Sequence, residues 1–197
     1  MASPIELIVG LGNPGSQYQD TRHNAGEWFV EQLAKNAGIT LKAESKFHGK
    51  AGRGFVAGRN VWLLIPDTFM NNSGKAVAAL AQFYKIEPQS ILVAHDELDI
   101  APGTARLKFD GGHGGHNGLR DIVSCMGNRK DFARVRIGIG HPGHASQVTN
   151  YVLGKPPIGD RAAIDQAIAA TANVMDAMLK GDIDSAMRDL HGFNAGE

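Results

Sequence analysis

The residues of this chain with the greatest chemical potential are one histidine, one aspartate and a set of asparagines. His23 sits in the loop 10–24, GLGNPGSQYQDTRHN, and Asp96 in the stretch His95-Asp96-Glu97-Leu98-Asp99. In an α/β protein, sites gather beyond the C-terminal ends of strands, so a loop histidine and a strand-end aspartate can meet. A carboxylate hydrogen-bonded to one imidazole nitrogen fixes the tautomer and leaves the other nitrogen to take a proton from water. Asn13, Asn24, Asn71 and Asn117 all fall in loops or helix starts near expected strand ends. Such amides serve as helix caps and turn formers. They can also hold a carbonyl or a ribose hydroxyl, or donate to a developing oxyanion. If such a site hydrolyses its substrate, water is the expected nucleophile.

Three other chemistries fit less well. Gly10-x-Gly12-x-x-Gly15 has the spacing of a dinucleotide-binding turn. Pro14 precedes the last glycine, however, the polar SQYQDTR segment delays the helix, and Glu31 falls inside that helix instead of after a strand. The glycines read better as the backbone turn that brings Asn13 and His23 to a common point. His113-x-x-His116 and His141-x-x-His144 have ligand-like spacing but no cysteine or third ligand in register, so solvent-exposed loop histidines and no metal are expected. No G-x-S-x-G elbow occurs, and Cys125 is expected to be a small buried apolar residue within a helix. As the one cysteine it excludes an internal disulfide and fits a reducing cytoplasm.

Positioning such a site requires alternating strands and helices. Residues 7–11 read as a buried strand, and Ala25, Trp28, Phe29, Leu33 and Ala34 follow at helical spacing, with Gly38 closing the helix. Residues 50–65 suggest a β-hairpin turning at Gly58-Arg59-Asn60 and ended by Pro66. Ala76, Val77, Leu80, Ala81 and Tyr84 predict a second helix, capped by Asn72 or Ser73. Residues 91–94 are a short apolar strand, 104–109 a strand with a basic face, and 134–139 a further strand. The glycine-rich loop 111–118 opens onto a third helix carrying Leu119, Ile122 and Val123. An alanine-rich helix is expected over 162–179 and another over 183–190, with the order of the tail from about 182 left open. Without a boundary or repeat, the fold class is α/β: a single domain over 1–197, a twisted mixed β-sheet with helices on both faces.

The composition, 43% hydrophobic and 20% charged, is that of a folded chain with a real core. No run approaches the ~18 apolar residues of a membrane span. The start, MASPIELIVG, has neither the basic region nor the cleavage site of a signal peptide. Twenty basic and twenty acidic residues cancel, but unevenly along the chain. From 106 to 136 there are seven basic residues against Asp110, Asp121 and Asp131; from 160 onward, seven acidic against three basic. That distribution suits a phosphate-bearing partner at one face, or simply two ordinarily charged surfaces.

Five separated blocks give the chain a resemblance to a family, the bacterial-type peptidyl-tRNA hydrolases. They are GLGNPGSQYQDTRHNAG (10–26), TFMNNSGKAV (68–77), HDELDIAPGTARLKFDGGHGGHNGLRDI (95–122), RVRIGIGHPG (134–143) and YVLGKP (151–156), in family order. The resemblance implies a monomeric, cytoplasmic esterase with no metal and no cofactor. Its reaction would cleave the ester joining a peptide to the 3′-terminal ribose of tRNA, recycling tRNA from chains dropped by ribosomes. It implies His23 as general base and Asp96 as the group that orients it. Asn13 and Asn71 would position ester and water, Asn71 as a candidate oxyanion donor, and Asn117 would bind the peptide main chain or the attacking water. Tyr18, Met70 and His116 would wall the channel for the peptide and 3′ end. Lys108 and Arg136 would clamp the tRNA 5′-phosphate. The chain departs from the family at Ile65-Pro66-Asp67, where many members carry Lys-Pro. The family also includes catalytically silent RNA-binding members with splicing roles, the alternative reading.

Overall fold

A run of fully buried residues forms the centre of the sheet. In the computed structural model, which describes residues 3–195, β1 (Leu7–Gly10) is buried along its whole length. It hydrogen-bonds in parallel to β4 (Arg59–Pro66) on one side and to β5 (Ile91–Glu97) on the other. Parallel strands buried on both faces read as continuous apolar runs, as Leu7-Ile8-Val9 and Ile91-Leu92-Val93-Ala94 do. Antiparallel strands close both flanks: β2 (Lys42–Glu44) and β3 (Gly49–Val56) beside β4, and β6 (Ala105–Phe109) against β7 (Ala133–Gly138). The order is β2-β3-β4-β1-β5-β7-β6, seven strands in one mixed sheet, as the alternation of the sequence implied.

Side-chain alternation divides the core in two. Ile8, Leu92 and Ala94 face α1 (Ala25–Ala37), α5 (Ile158–Asn173), α6 (Met175–Leu179) and α7 (Ile183–His191). Leu7, Val9, Ile91 and Val93 face α2 (Ser73–Phe83) and α3 (Asn117–Cys125). A short α4 (Val148–Val152) lies between β7 and α5 in the chain. Helices therefore cover both faces of the sheet.

The start of α1 is pressed onto the strand ends. A Cβ on Gly26 would fall on the Ala94 carbonyl, and one on Gly10 would fall on the Gly26 carbonyl. Gly10 thus serves close helix–strand approach, not a turn, while Gly15, at φ 105°, does take the conformation that favours glycine. The preceding loop is anchored from the far side. Arg22 Nη1 donates to the Tyr151 carbonyl at 2.9 Å and its guanidinium lies 3.9 Å over the Tyr151 ring, giving the YVLGKP block a structural role.

Several local expectations need correction. The hairpin turns at Ala57-Gly58, both at positive φ (48° and 80°), with Val56 opposite Arg59. A two-residue turn of that kind matches the twist of its strands, so Arg59 and Asn60 stay in β4. The long alanine-rich helix is two, α5 and α6, broken at Val174. Strand β2, three residues with no buried side chain, carries no alternation to read. Cys125 is exposed: the buried stripe of α3, Gly118, Leu119 and Ile122, stops before it, and the helix ends there. Partial burial and neighbouring Asp121 push its thiol pKa up. The tail from 182 forms α7, started by Asp182 Oδ1 accepting from Ser185 N at 3.2 Å. His191 of α7 accepts from Leu107 N at 3.0 Å and so covers the edge of β6. Of the expected span, residues 1, 2, 196 and 197 lie outside the described residues.

Candidate active site

Three chain segments deliver three side chains to one point. His23 lies in the 3-10 turn Arg22–Asn24 that leads into α1, Asp96 on the last residues of β5, and His116 immediately before α3. Asp96 is 4% exposed, and its two oxygens are divided between the histidines. Oδ2 is 2.8 Å from His23 Nδ1, and Oδ1 is 2.8 Å from His116 Nε2. His116 Nδ1 accepts from Gly118 N (3.2 Å) and Leu119 N (3.4 Å), capping α3. With that lone pair engaged, the ring hydrogen of His116 is on Nε2 and donates to Asp96. His23 donates to the same carboxylate from Nδ1, which leaves its Nε2 for a water.

The charges follow from this geometry. Burial acts to lower the His23 pKa, but the Asp96 charge and hydrogen bond outweigh it and hold it above its ordinary 6.5. Burial alone would raise Asp96; the two imidazoles hold it well below the usual carboxylate range. A third histidine, His95, donates from Nδ1 to the Asp96 carbonyl at 2.8 Å. Burial, with His116 adding, pushes its pKa down to about 3, so it stays neutral and does not compete for the proton.

His23, Asp96 and His116 also place ligand atoms within 4.8 Å of one another, a metal-like grouping. The tautomer speaks against that use: Nε2 of His116 carries a hydrogen while Nδ1 caps the helix, so it has no lone pair to give. The expectation of a solvent-exposed loop histidine fails for His116, whose side chain is 9% exposed. Bonds to Asp96 and to the α3 N-terminus draw it inward.

Two of the amides around this point have their oxygens engaged. Asn13 Oδ1 accepts from Met70 N at 2.7 Å, and Asn117 Oδ1 accepts from Arg120 Nη1 at 3.1 Å. Both partners are obligate donors, so each amide keeps its NH₂ group for other acceptors. Asn71 is exposed and its side chain has no protein partner among the described residues. These residues and Met70 line a cavity of about 790 Å³ together with His23, Asp96 and His116. Val148, Val152 and Leu153, which the sequence did not single out, form an apolar stretch of its wall.

Lys108 and Arg136 line the same cavity. Cross-strand pairing sets Lys108 opposite Arg134 and Arg106 opposite Arg136, so four of the seven basic residues share one face of the β6–β7 pair. Arg136 is held by Glu97, with Nε and Nη2 each 2.9 Å from Oε1. Lys108 has no ion pair among the described residues. Arg134 is buried, and its Nη atoms reach the Gly111 and Gly112 carbonyls, pinning the glycine-rich loop that ends in His116. The block RVRIGIGHPG carried that signal only as a count of charges. Tyr18 is not on the cavity wall. Its ring packs edge-on against Phe69, 6.3 Å between centroids, and Phe69 is the one of the two that lines the cavity. The departure at Ile65-Pro66-Asp67 lies off the cavity, with Ile65 and Pro66 buried.

Known proteins are similar to this chain over almost its whole length. The family described as Peptidyl-tRNA hydrolase matches residues 7–197. The peptidyl-tRNA hydrolase of Chromohalobacter salexigens is 58% identical over 193 residues, covering 98% of this chain and all of its own. That of Colwellia psychrerythraea is 58% identical over 191 residues, 97% of this chain and 98% of its own. The crystal structure of the Acinetobacter baumannii peptidyl-tRNA hydrolase superposes with a TM-score of 0.95 at 52% identity, covering 99% of this chain and 98% of that one. The chain belongs to the peptidyl-tRNA hydrolase family.

Proposed function

We propose that this chain hydrolyses the ester bond between the peptide and the 3′-terminal ribose in peptidyl-tRNA, releasing free tRNA and the peptide. The observation that carries the reading is the buried Asp96 carboxylate, 2.8 Å from His23 Nδ1, beside donor amides in one cavity. His23 Nε2 takes a proton from water as the water oxygen attacks the ester carbonyl. Asp96 balances the imidazolium that forms. The tetrahedral intermediate places negative charge on the former carbonyl oxygen, and the Asn71 amide is the donor for it. Collapse breaks the carbon–oxygen bond to the ribose, and the His23 imidazolium returns its proton to the leaving oxygen.

The NH₂ groups of Asn13 and Asn117 serve carbonyls of the ester and the peptide main chain. A peptidyl ester offers them an amide that an aminoacyl ester lacks, and a free amine would bring a positive charge these contacts do not reward. Met70 and His116 wall this part of the cavity, with Tyr18 packed edge-on against Phe69. Lys108 and Arg136 take the tRNA 5′-phosphate, a contact that positions the acceptor stem without reading bases. In this proposal the enzyme acts as a monomer on the tRNA of the cytoplasm, with no metal and no cofactor. No helix of the described residues is long and apolar enough to cross a membrane.

The silent RNA-binding alternative needs the basic face but not the histidine, so one variant separates the two. With purified peptidyl-tRNA, His23→Ala is expected to lower turnover by at least ~10²-fold while leaving tRNA affinity nearly unchanged. Turnover near that of the unmodified protein would remove the hydrolytic mechanism.

A further inference from the structure

Asn24 and Glu27 have the spacing of a helix capping box, the cap residue and the third residue of α1. In such a box the cap side chain takes the N–H of the third residue, whose own side chain returns to the N–H of the cap. Neither bond is made here. The Glu27 N–H goes to the Leu11 carbonyl at 3.1 Å and the Asn24 N–H to the Thr21 carbonyl at 3.0 Å. The Asn24 amide turns instead to the backbone of Asn13, accepting from its N–H at 2.8 Å and donating to its carbonyl at 3.0 Å. Glu27 follows: Oε2 accepts from Asn24 Nδ2 at 3.0 Å. Gly12 makes room for this, since a Cβ there would strike both the Glu27 carboxylate and the Asn24 amide. Asn13 passes the chain on through Oδ1 to Met70 N at 2.7 Å. One line of hydrogen bonds thus runs from α1 through the loop 10–24 to the segment carrying Asn71.

A glutamate placed at a helix start only to complement the dipole keeps a stabilised charge. Glu27 does the reverse. Burial pushes its pKa up to about 7, helped by Glu31 one turn on and by Asp67, against Lys50.

We propose that Glu27 is a positioning residue of the hydrolytic site: it locks the Asn24 amide, which clamps Asn13 by both backbone groups and so aims the Asn13 side chain. The proposal rests on the reading that Asn13 contacts the substrate ester. Reach, and not charge, is what the role requires, and two substitutions separate them. Glu27→Asp keeps the charge and the helix start but withdraws the carboxylate by one methylene. Glu27→Gln keeps the reach and the acceptor oxygen, and removes a charge that burial already disfavours.

On purified peptidyl-tRNA, Glu27→Asp is expected to lower kcat about tenfold with KM unchanged, because misplacement acts on the transition state. Its melting temperature should match that of the unmodified protein. Glu27→Gln should restore kcat to near the original value. Combining Asn24→Ala with Glu27→Asp should cost no more than Asn24→Ala alone. An Asp variant with full kcat, a Gln variant as slow as the Asp one, or a loss that tracks the melting temperature would each overturn the proposal alone. An unmodified protein inert on peptidyl-tRNA would overturn the hydrolytic reading together with it.

Discussion

Asp96 is the pivot at the scale of single residues, because one buried carboxylate serves two imidazoles through different nitrogens. A general base works only when deprotonated, and Asp96 holds the His23 pKa above its ordinary 6.5. Turnover should therefore rise with pH through a limb that lies above 6.5 in kcat/KM, the pKa of the free enzyme. Asp96→Asn removes the charge that raises that pKa and leaves burial, which lowers it. The limb should move to lower pH while the rate falls by roughly 10²–10⁴, since the imidazole loses its fixed tautomer. A pH profile of kcat/KM for both proteins tests this; an unmoved limb would detach Asp96 from the base. The sequence offered the His23–Asp96 pair, and its partner His116 was legible as one half of a His-x-x-His spacing and, through the family resemblance, as a channel wall, but not as a partner of Asp96. What draws His116 in is the N-terminus of α3, a contact between side chain and backbone that residue spacing does not encode.

Elements matter to this site through how closely they approach. Gly26 lies in the first turn of α1, where alanine would gain about 1 kcal/mol in helix propensity. The same Cβ would overlap the Ala94 carbonyl and crowd the Leu11 N–H, both backbone and unable to step aside. Overpacking against rigid neighbours costs about 3 kcal/mol, so the clash wins. Gly26→Ala should lower stability by about 2 kcal/mol net and displace His23 from β5, measurable as an earlier urea midpoint with reduced turnover. A midpoint at or above that of the unmodified protein would refute close approach as the reason for this glycine. The strands and the larger helices were legible because buried parallel strands and amphipathic helices carry strong patterns, as in Leu7-Ile8-Val9 and in Trp28, Phe29 and Leu33. The break at Val174, the turn at Ala57-Gly58 and β2 left no such pattern.

Across the whole molecule, charge is organised by the sheet. Opposing like charges across a strand pair costs about 0.2–1 kcal/mol, and the β6–β7 pair does so twice. Glu97 and the carbonyls of the glycine-rich loop offset part of that cost. An anion at the open cation, Lys108, would relieve more. Lys108→Ala and Arg136→Ala should each raise KM for peptidyl-tRNA more than they lower kcat, and reduce the salt slope of binding by about 1. Arg136→Ala should be the more damaging, because it leaves Glu97 facing the phosphate without its partner. A short ester substrate lacking the tRNA body should respond to neither change; equal losses on it would contradict a phosphate contact.

The amino-acid sequence by itself determined the α/β class, the mixed sheet, the family and the set of residues able to do chemistry. The class and the sheet depend on periodicity and on glycine and proline punctuation, and the family on five blocks of residues, all of which are local. Tertiary structure alone decided which of these residues share a hydrogen bond. It set His116 on Asp96, packed Tyr18 edge-on against Phe69, exposed Cys125 and paired Arg136 with Glu97. It also turned the Gly10, Gly12 and Gly15 spacing from a single motif into three separate demands. These are close approach of α1, room for the Asn24 amide, and a positive φ. Each is a contact between segments distant in the chain or a backbone angle set by its surroundings, and neither is written in the spacing of residues.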